Sequence, residues 1–415
     1  MDTVTSVLLL ISATLFLSYL SGLIYTKTRI PDIVWLMALG YLLGPVLGFF
    51  QPDILSPESF NLLILITVAI FSFDTGINVS FTGVMKKAGK ALILSGASFL
   101  VIMIVVGYSM HFVLPNKFTL SEGMLLGAMI GGLGGISVTG ILSRLSALIP
   151  NIKKDGVLIN LESTLSDPIR LVAVVVIIGI ITQDTMTLES GIKDIVFVLV
   201  IATLFGLTAG MLWAEVLSLL WNRPFNYMMT VAALFPIYIL SENYIGEGGG
   251  PLTALAFGMA ITNYTEIAKR FGYKRKVKIQ KAKIREFNLE ITFLIKALFF
   301  VYLGLKVNLT VETILLSFGI VALMLGSRYL CASLLSPLIG LTLGEKVFSR
   351  TIFMQGITAL VLSQLPTLLA PELQARFTDL TIYENLLYPV VIVTLIIVSI
   401  FGPIIALRQL EEAKV

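Results

Sequence analysis

Apolar runs of about twenty residues, broken by short polar stretches, recur along the whole chain. An α-helix needs about that many apolar residues to cross the hydrocarbon core of a bilayer. The pattern predicts about thirteen spans, near 4–24, 31–50, 59–77, 91–113, 122–142, 156–181, 194–220, 226–241, 250–264, 287–305, 312–337, 349–370 and 384–407. Glu242 and 246-GEGGGP-251 crowd the junction of the eighth and ninth, whose limits are the least sharp. An outer-membrane barrel would show segments of about ten residues with alternating polarity, and these runs are too long and too uniform for that. The expected fold class is therefore an all-α polytopic membrane protein.

Charge orients the spans. One set of alternate loops collects 22 Lys/Arg, including 86-KKAGK-90, Lys346, Arg350 and 269-KRFGYKRKVKIQKAKIR-285. The opposite loops hold only Lys117, Lys193, Lys306 and Arg376. The positive-inside bias then puts the N-terminus outside and the C-terminus in the cytoplasm of a cell whose plasma membrane the chain spans. In a soluble protein the basic 269–285 stretch would suit nucleic acid. Here it reads as a cytoplasmic loop beside anionic lipid heads, and no nucleic-acid partner is expected. The composition agrees, with 57% hydrophobic and 13% charged residues, about half the roughly 25% charged share of soluble domains. The only cysteine, Cys331, cannot form an intrachain disulfide, and the only histidine, His111, lacks metal-ligating neighbours. The first apolar run starts almost at Met1, lacks a basic leader and is long enough to span, so no cleavable signal peptide is expected.

The ionisable residues left inside spans carry the candidate chemistry, because such groups are costly in hydrocarbon and mark pathways or paired networks. They are Arg170, Lys296 and Arg328, against Asp74, Glu162 and Asp167, with Glu215 and Glu290 nearer helix ends. In 161-LESTLSDPIR-170, helical spacing brings Ser163, Asp167 and Arg170 to one face. Pro168 removes a backbone donor and is expected to loosen the helix near Thr164. A carboxylate beside a hydroxyl can hold a hard monovalent cation through oxygen and take up a proton when the cation leaves. Competition for one carboxylate is antiport. Asp167 is the choice for that role, while Glu162, Arg170, Lys296 and Arg328 are expected in structural ion pairs. Asp74 stays open between lining the site and pairing with Lys296.

Two spans look interrupted. The fifth contains 131-GGLGGISVTG-140, and the twelfth contains 354-MQGITALVLSQLP-366. They hold corresponding places if spans 1–6 and 8–13 are inverted repeats, and paired broken helices point to a transporter's midplane site. Gly134, Gly135, Gly356 and Thr358 mark the breaks, and tight small-residue packing is the competing explanation. Gly206 and Gly210 form a GxxxG pattern that could mediate dimerisation.

Several segments resemble the monovalent cation/proton antiporter superfamily, closest to its prokaryotic sodium/proton exchanger branch. The stretch 29-RIPDIVWLMALGYLLGP-45 is similar to the second-helix signature, and 73-FDTGINVSF-81 to the third-helix segment, with Asp74 at its acidic position. The stretch 162-ESTLSDP-168 resembles the glutamate–serine–x–x–asparagine–aspartate–proline motif; 298-LFFVYLGL-305 and 355-QGITALVL-362 also match. The resemblance implies two inverted six-helix repeats with crossed broken helices in one transporter domain over 1–415. Repeat one covers about 1–182, a linker helix about 192–221 and repeat two about 225–408. It implies that Asp167 binds cation and proton in turn with Ser163 as second ligand, and that Glu162 pairs with a basic residue, Arg328 first. A homodimer built on spans 1 and 7 follows from it, and neither a cofactor nor an enzymatic activity.

This chain departs from that pattern twice. Ser166 stands where the exchanger branch has asparagine, and a neutral residue there implies electroneutral exchange. The fifth helix has Leu133, Gly134 and Gly135 where relatives carry threonine–aspartate–proline. The site expected is therefore Asp167, Ser163, Asp74 and backbone at Leu133 and Gly134. Its weaker anionic field favours K+, which costs less to dehydrate, while the overall resemblance narrowly favours Na+, so K+ stays open. The alternative class is an organic-anion transporter on the same inverted-repeat fold, which Arg170, Lys296 and Arg328 keep alive.

Overall fold

The computed structural model describes residues 3–412 except 29–30, 52–53, 80, 136–137, 139–141, 143–151, 183–187, 222, 224, 247, 271, 273–276 and 370. The described residues contain helices and connecting turns and no strand. The helices are α1 (Thr3–Thr28), α2 (Asp32–Tyr41), α3 (Pro57–Asn78), α4 (Phe81–Val113), α5 (Leu120–Ile130), α6 (Ile152–Thr182), α7 (Leu188–Leu219) and α8 (Asn226–Tyr244). They continue with α9 (Gly249–Thr262), α10 (Tyr264–Arg270), α11 (Lys281–Lys306), α12 (Val311–Ile339), α13 (Leu343–Thr351), α14 (Ile357–Leu362) and α15 (Thr381–Glu412). Eight of these are long and apolar enough to cross a membrane, and Asp32–Val46, Leu120–Ile130, Gly249–Thr262 and Ile357–Thr367 are shorter apolar segments. With α8 they match the expected spans one for one, so the all-α polytopic fold of about thirteen helices holds.

Local sequence explains where helices begin and break. α5, α12 and α13 each open on a capping box, Thr119/Glu122, Thr310/Thr313 and Thr342/Glu345, which satisfies backbone donors at both ends of the first turn. After α2 the ladder slips to a π turn over Leu42–Val46, where Pro45 supplies no N–H. α6 runs unbroken through residue 168, so the loosening expected from Pro168 does not end the helix.

By contrast, both expected breaks are present. α5 stops at Ile130 and the chain leaves the helix through 131–134, and an extended stretch, 352–356, separates α13 from α14. These non-helical pieces carry backbone groups at membrane depth, which is tolerated only where protein or water meets them.

The chain forms two compact units. The first comprises Met1–Leu62, Gly89–Asp184 and Lys296–Val415, and holds both broken helices packed with α6, α12 and α15. The second comprises Leu63–Ala88 and Thr185–Ile295, with a core that includes Phe73, Ile77, Leu234, Phe257, Ile261 and Ile284. In this second unit the GxxxG pair has a partner inside the protomer. A Cβ at Gly206 would fall inside contact distance of Thr253 O, and one at Gly210 would lie 2.6 Å from Phe257 O. The pattern lets α7 pack on α9, which corrects the expectation that it serves dimerisation.

Candidate functional site

The site is assembled in the first unit from α6 and the two broken helices. Gly134 N donates to Met354 O at 3.0 Å, joining one break to the other. A Cβ at Gly134 would lie 2.5 Å from Gly356 N and 2.6 Å from Gly356 Cα, so the two chains cross backbone to backbone. Only glycine allows that approach. Of the stretch 131–140, residues 136, 137, 139 and 140 lie outside the described residues.

Arg170 fastens this crossing from α6. Its side chain is fully buried. Nη1 donates to Gln355 Oε1 at 2.9 Å and Met129 O at 3.4 Å; Nη2 donates to Leu133 O at 3.3 Å and to Asp167 Oδ1. Gln355 completes the clasp, its Nε2 donating to Ile130 O at 2.9 Å and Gly132 O at 2.7 Å. Buried carbonyls freed by the broken fifth helix are thus satisfied by two side chains rather than by a helix ladder. Ser166 adds a third tie, accepting from Leu133 N at 3.1 Å. Leu133 therefore stands at the crossing with its backbone already engaged.

Asp167 sits at the edge of this clasp with 22% of its side chain exposed. One carboxylate oxygen meets Arg170, and Thr358 and the Gly135 backbone lie beside the group. A Cβ at Gly135 would lie 3.4 Å from Asp167 Oδ2, an ordinary contact, so that position borders the carboxylate. Ser163 is buried one turn away and donates to Asn160 O at 2.9 Å. Its donor is spent within the helix, and its oxygen retains acceptor capacity.

A second, separate pair lies behind the clasp. Glu162 and Arg328 are each 1% exposed and meet through two parallel bonds, one at 2.8 Å, and Arg328 Nη1 also donates to Ser98 Oγ at 2.9 Å. This fork geometry ties α6 to α12. These residues, with Ser95, Ser166 and Gln355, border a cavity with about 10 Å³ of room for a water's centre, about what one water requires. Lys296 pairs with Asp32, a partner that its sequence context did not suggest. Asp74 belongs to the second unit, where Oδ1 accepts from Asn288 Nδ2 at 2.6 Å.

Chemically, the arrangement presents one partly accessible carboxylate with hydroxyl and backbone oxygens nearby. Among the described residues no group of three or more His, Cys, Asp or Glu is placed to hold a metal ion. A divalent cation usually takes six or more oxygen ligands with several carboxylates, and a singly charged ion asks for less. Sequence reasoning missed the roles of Gln355 and Asp32. Gln355 carried a signal, a buried amide beside the glycine of a broken helix. Asp32 read only as the start of the second span.

Comparison with known proteins bears on the family and the fold. The family profile described as "Sodium/hydrogen exchanger, transmembrane" matches residues 12–407. The fold superposes on the sodium proton antiporter MjNhaP1 from Methanocaldococcus jannaschii at pH 8, with a TM-score of 0.80 and 17% identity, covering 99% of this chain and 100% of that one. An electron-microscopy map of the same antiporter gives a TM-score of 0.78 at 17% identity, covering 99% of each chain. No curated protein matches the chain.

Proposed function

Because the chain belongs to the sodium/hydrogen exchanger family, cation/proton antiporters rather than enzymes, we propose that Asp167 is the group at which one monovalent cation and one proton compete. The observation that carries the proposal is the lone, partly exposed carboxylate at the crossing of two broken helices. The cation displaces a proton from Asp167 and takes further oxygens from Ser163, Thr358 and backbone carbonyls near Gly134. Arg170 can yield its bond to Asp167 without being left bare, because Gln355, Met129 and Leu133 already accept from it. Na+ is the narrowly favoured ion and K+ the alternative.

The exchange is electroneutral. Arginine stays charged at any physiological pH, so the empty site carries Arg170⁺ and Asp167⁻ and sums to zero. Binding either one cation or one proton brings it to the same charge. The remaining architecture we propose is two inverted repeats over about 1–182 and 225–408, linked by the helix at 192–221. The chain would form a homodimer in the plasma membrane with its C-terminus in the cytoplasm. Exposed apolar side chains such as Phe16 and Tyr19 of α1, and Leu204 and Leu212 of α7, suit such a dimer surface.

An organic-anion substrate fits less well. Arg170, Arg328 and Lys296 are each paired with a carboxylate, so none of these three is left to meet an organic anion. The deciding experiment uses purified protein in liposomes with a lumenal pH dye, challenged with Na+, K+, Li+ or choline. Dissipation of an imposed pH gradient by Na+ or K+ but not choline, abolished by Asp167→Asn, is the expected result and names the ion. Unchanged activity in Asp167→Asn would remove Asp167 from the mechanism. Inertness toward every alkali cation would return the organic anions to first place.

A further inference from the structure

We propose that the groove between α12 and α15 beside Arg350 binds one anionic phospholipid, with an acyl chain in the groove and the phosphate on the Arg350 guanidinium. The groove encloses about 520 Å³, within the range of small-molecule sites. Its walls include Leu325, Leu330, Phe353, Phe401 and Ile405, and Gly326 gives it depth. A Cβ at Gly326 would meet nothing within 4 Å. Leu330 and Phe401 are 61% and 51% exposed on spans that cross the bilayer, so what lies against these walls in a membrane is hydrocarbon. The groove has the chemistry of an acyl chain's bed.

The head-group end is set by Arg350, in the last turn of α13. Seven residues past Leu343, it lies about 10 Å along the helix from where α13 begins. Its guanidinium stacks over the Tyr329 ring at 4.9 Å, and its Nε is buried without a hydrogen-bond acceptor. The groove's lining contains no Asp or Glu, and among the described residues Arg350 makes no ion pair. The intramembrane cations Arg170, Arg328 and Lys296 all have carboxylates. Among the described residues Arg350 has none, and an uncompensated cation beside hydrocarbon is costly. A lipid phosphate supplies the missing anion, and Gln409, which also lines the groove, carries amide donors. A second copy of the chain suits the groove less, because a two-fold contact presents the same surface to itself and the described residues lining the groove include no carboxylate to answer Arg350. The proposed orientation puts this end at the inner leaflet, where anionic lipids attract basic residues.

The test titrates the purified full-length protein in detergent with phosphatidylglycerol or phosphatidylcholine and counts retained lipid by native mass spectrometry. The wild type is expected to keep one phosphatidylglycerol per protomer in preference to phosphatidylcholine by about fivefold, the factor expected for one basic residue at a membrane surface. Arg350→Gln should erase the preference and Arg350→Lys should keep part of it. Gly326→Phe, which fills the groove, should release both lipids. Size-exclusion elution of each variant as a single symmetrical species guards against misfolding. Wild-type preference persisting in Arg350→Gln overturns the proposal, as does a wild type with no preference. So does a Gly326→Phe protein that retains its lipid but loses its dimer, which would hand the groove to a second copy.

Discussion

Gly134 and Gly135 are neighbours in sequence and opposite in what they admit. A methyl at 134 would press on the Gly356 backbone at 2.5–2.6 Å, whereas among the described residues one at 135 would meet an oxygen of Asp167 at 3.4 Å and nothing nearer. Backbone cannot move aside as a flexible side chain can, and forcing a methyl into packed structure costs about 1–3 kcal/mol. Gly134→Ala is therefore expected to lower the thermal unfolding midpoint in detergent and to cut cation-dependent proton flux at least tenfold. Gly135→Ala should stay close to wild type in both. Equal behaviour of the two variants would show that the crossing is looser than its geometry indicates. This contrast was hidden in the sequence, where both positions are simply glycines in a glycine-rich run. Resemblance equates Gly134 with the acidic position of relatives, yet in this chain that position has no room for a side chain.

At the scale of elements, polarity along the chain told where helices cross the membrane and where two of them break, because both follow from local composition. It did not tell what each element meets. The GxxxG pair announced a close approach, and the helix approached is α9 of the same protomer. Lys296 announced the need for an anion, and the anion is Asp32, 264 positions away. Gln355 holds carbonyls that exist as free acceptors only because the fifth helix stops at Ile130, a condition visible once both breaks are placed together. The Glu162–Arg328 pair that fastens α6 to α12 shows what such long-range partners are worth. Removing one member of a fully buried ion pair strands the other charge and costs about 3–5 kcal/mol, whereas replacing both with apolar residues is often neutral. Glu162→Gln should therefore unfold at a clearly lower temperature than the wild type, and the double variant Glu162→Met with Arg328→Leu should recover most of the loss. A double variant no better than the single one would mean that the pair does more than hold two helices.

For the molecule as a whole, the charge of the loaded site decides how transport couples to the membrane potential. Each elementary charge moved through 100 mV is worth about 2.3 kcal/mol. On the proposed mechanism, with one carboxylate and one permanent guanidinium, the cation-loaded and proton-loaded forms would carry the same charge, and the potential would neither drive nor oppose exchange. Gly135 offers a way to change that sum without rebuilding the fold, since a Cβ there would make only an ordinary contact with Asp167 among the described residues. Gly135→Asp adds a second carboxylate. One cation then displaces up to two protons, because two carboxylates in contact cannot both stay ionised without a counter-ion. The two loaded forms differ by one charge. On a solid-supported membrane, a jump in Na+ should give the wild type no sustained charge displacement and give Gly135→Asp a clear one, with Asp167→Asn silent in the same assay. A sustained signal from the wild type would mean that a second proton-binding group already serves the site. A silent but transporting Gly135→Asp would mean that the added carboxylate never shares the proton traffic, and that the number of carboxylates does not by itself set the stoichiometry.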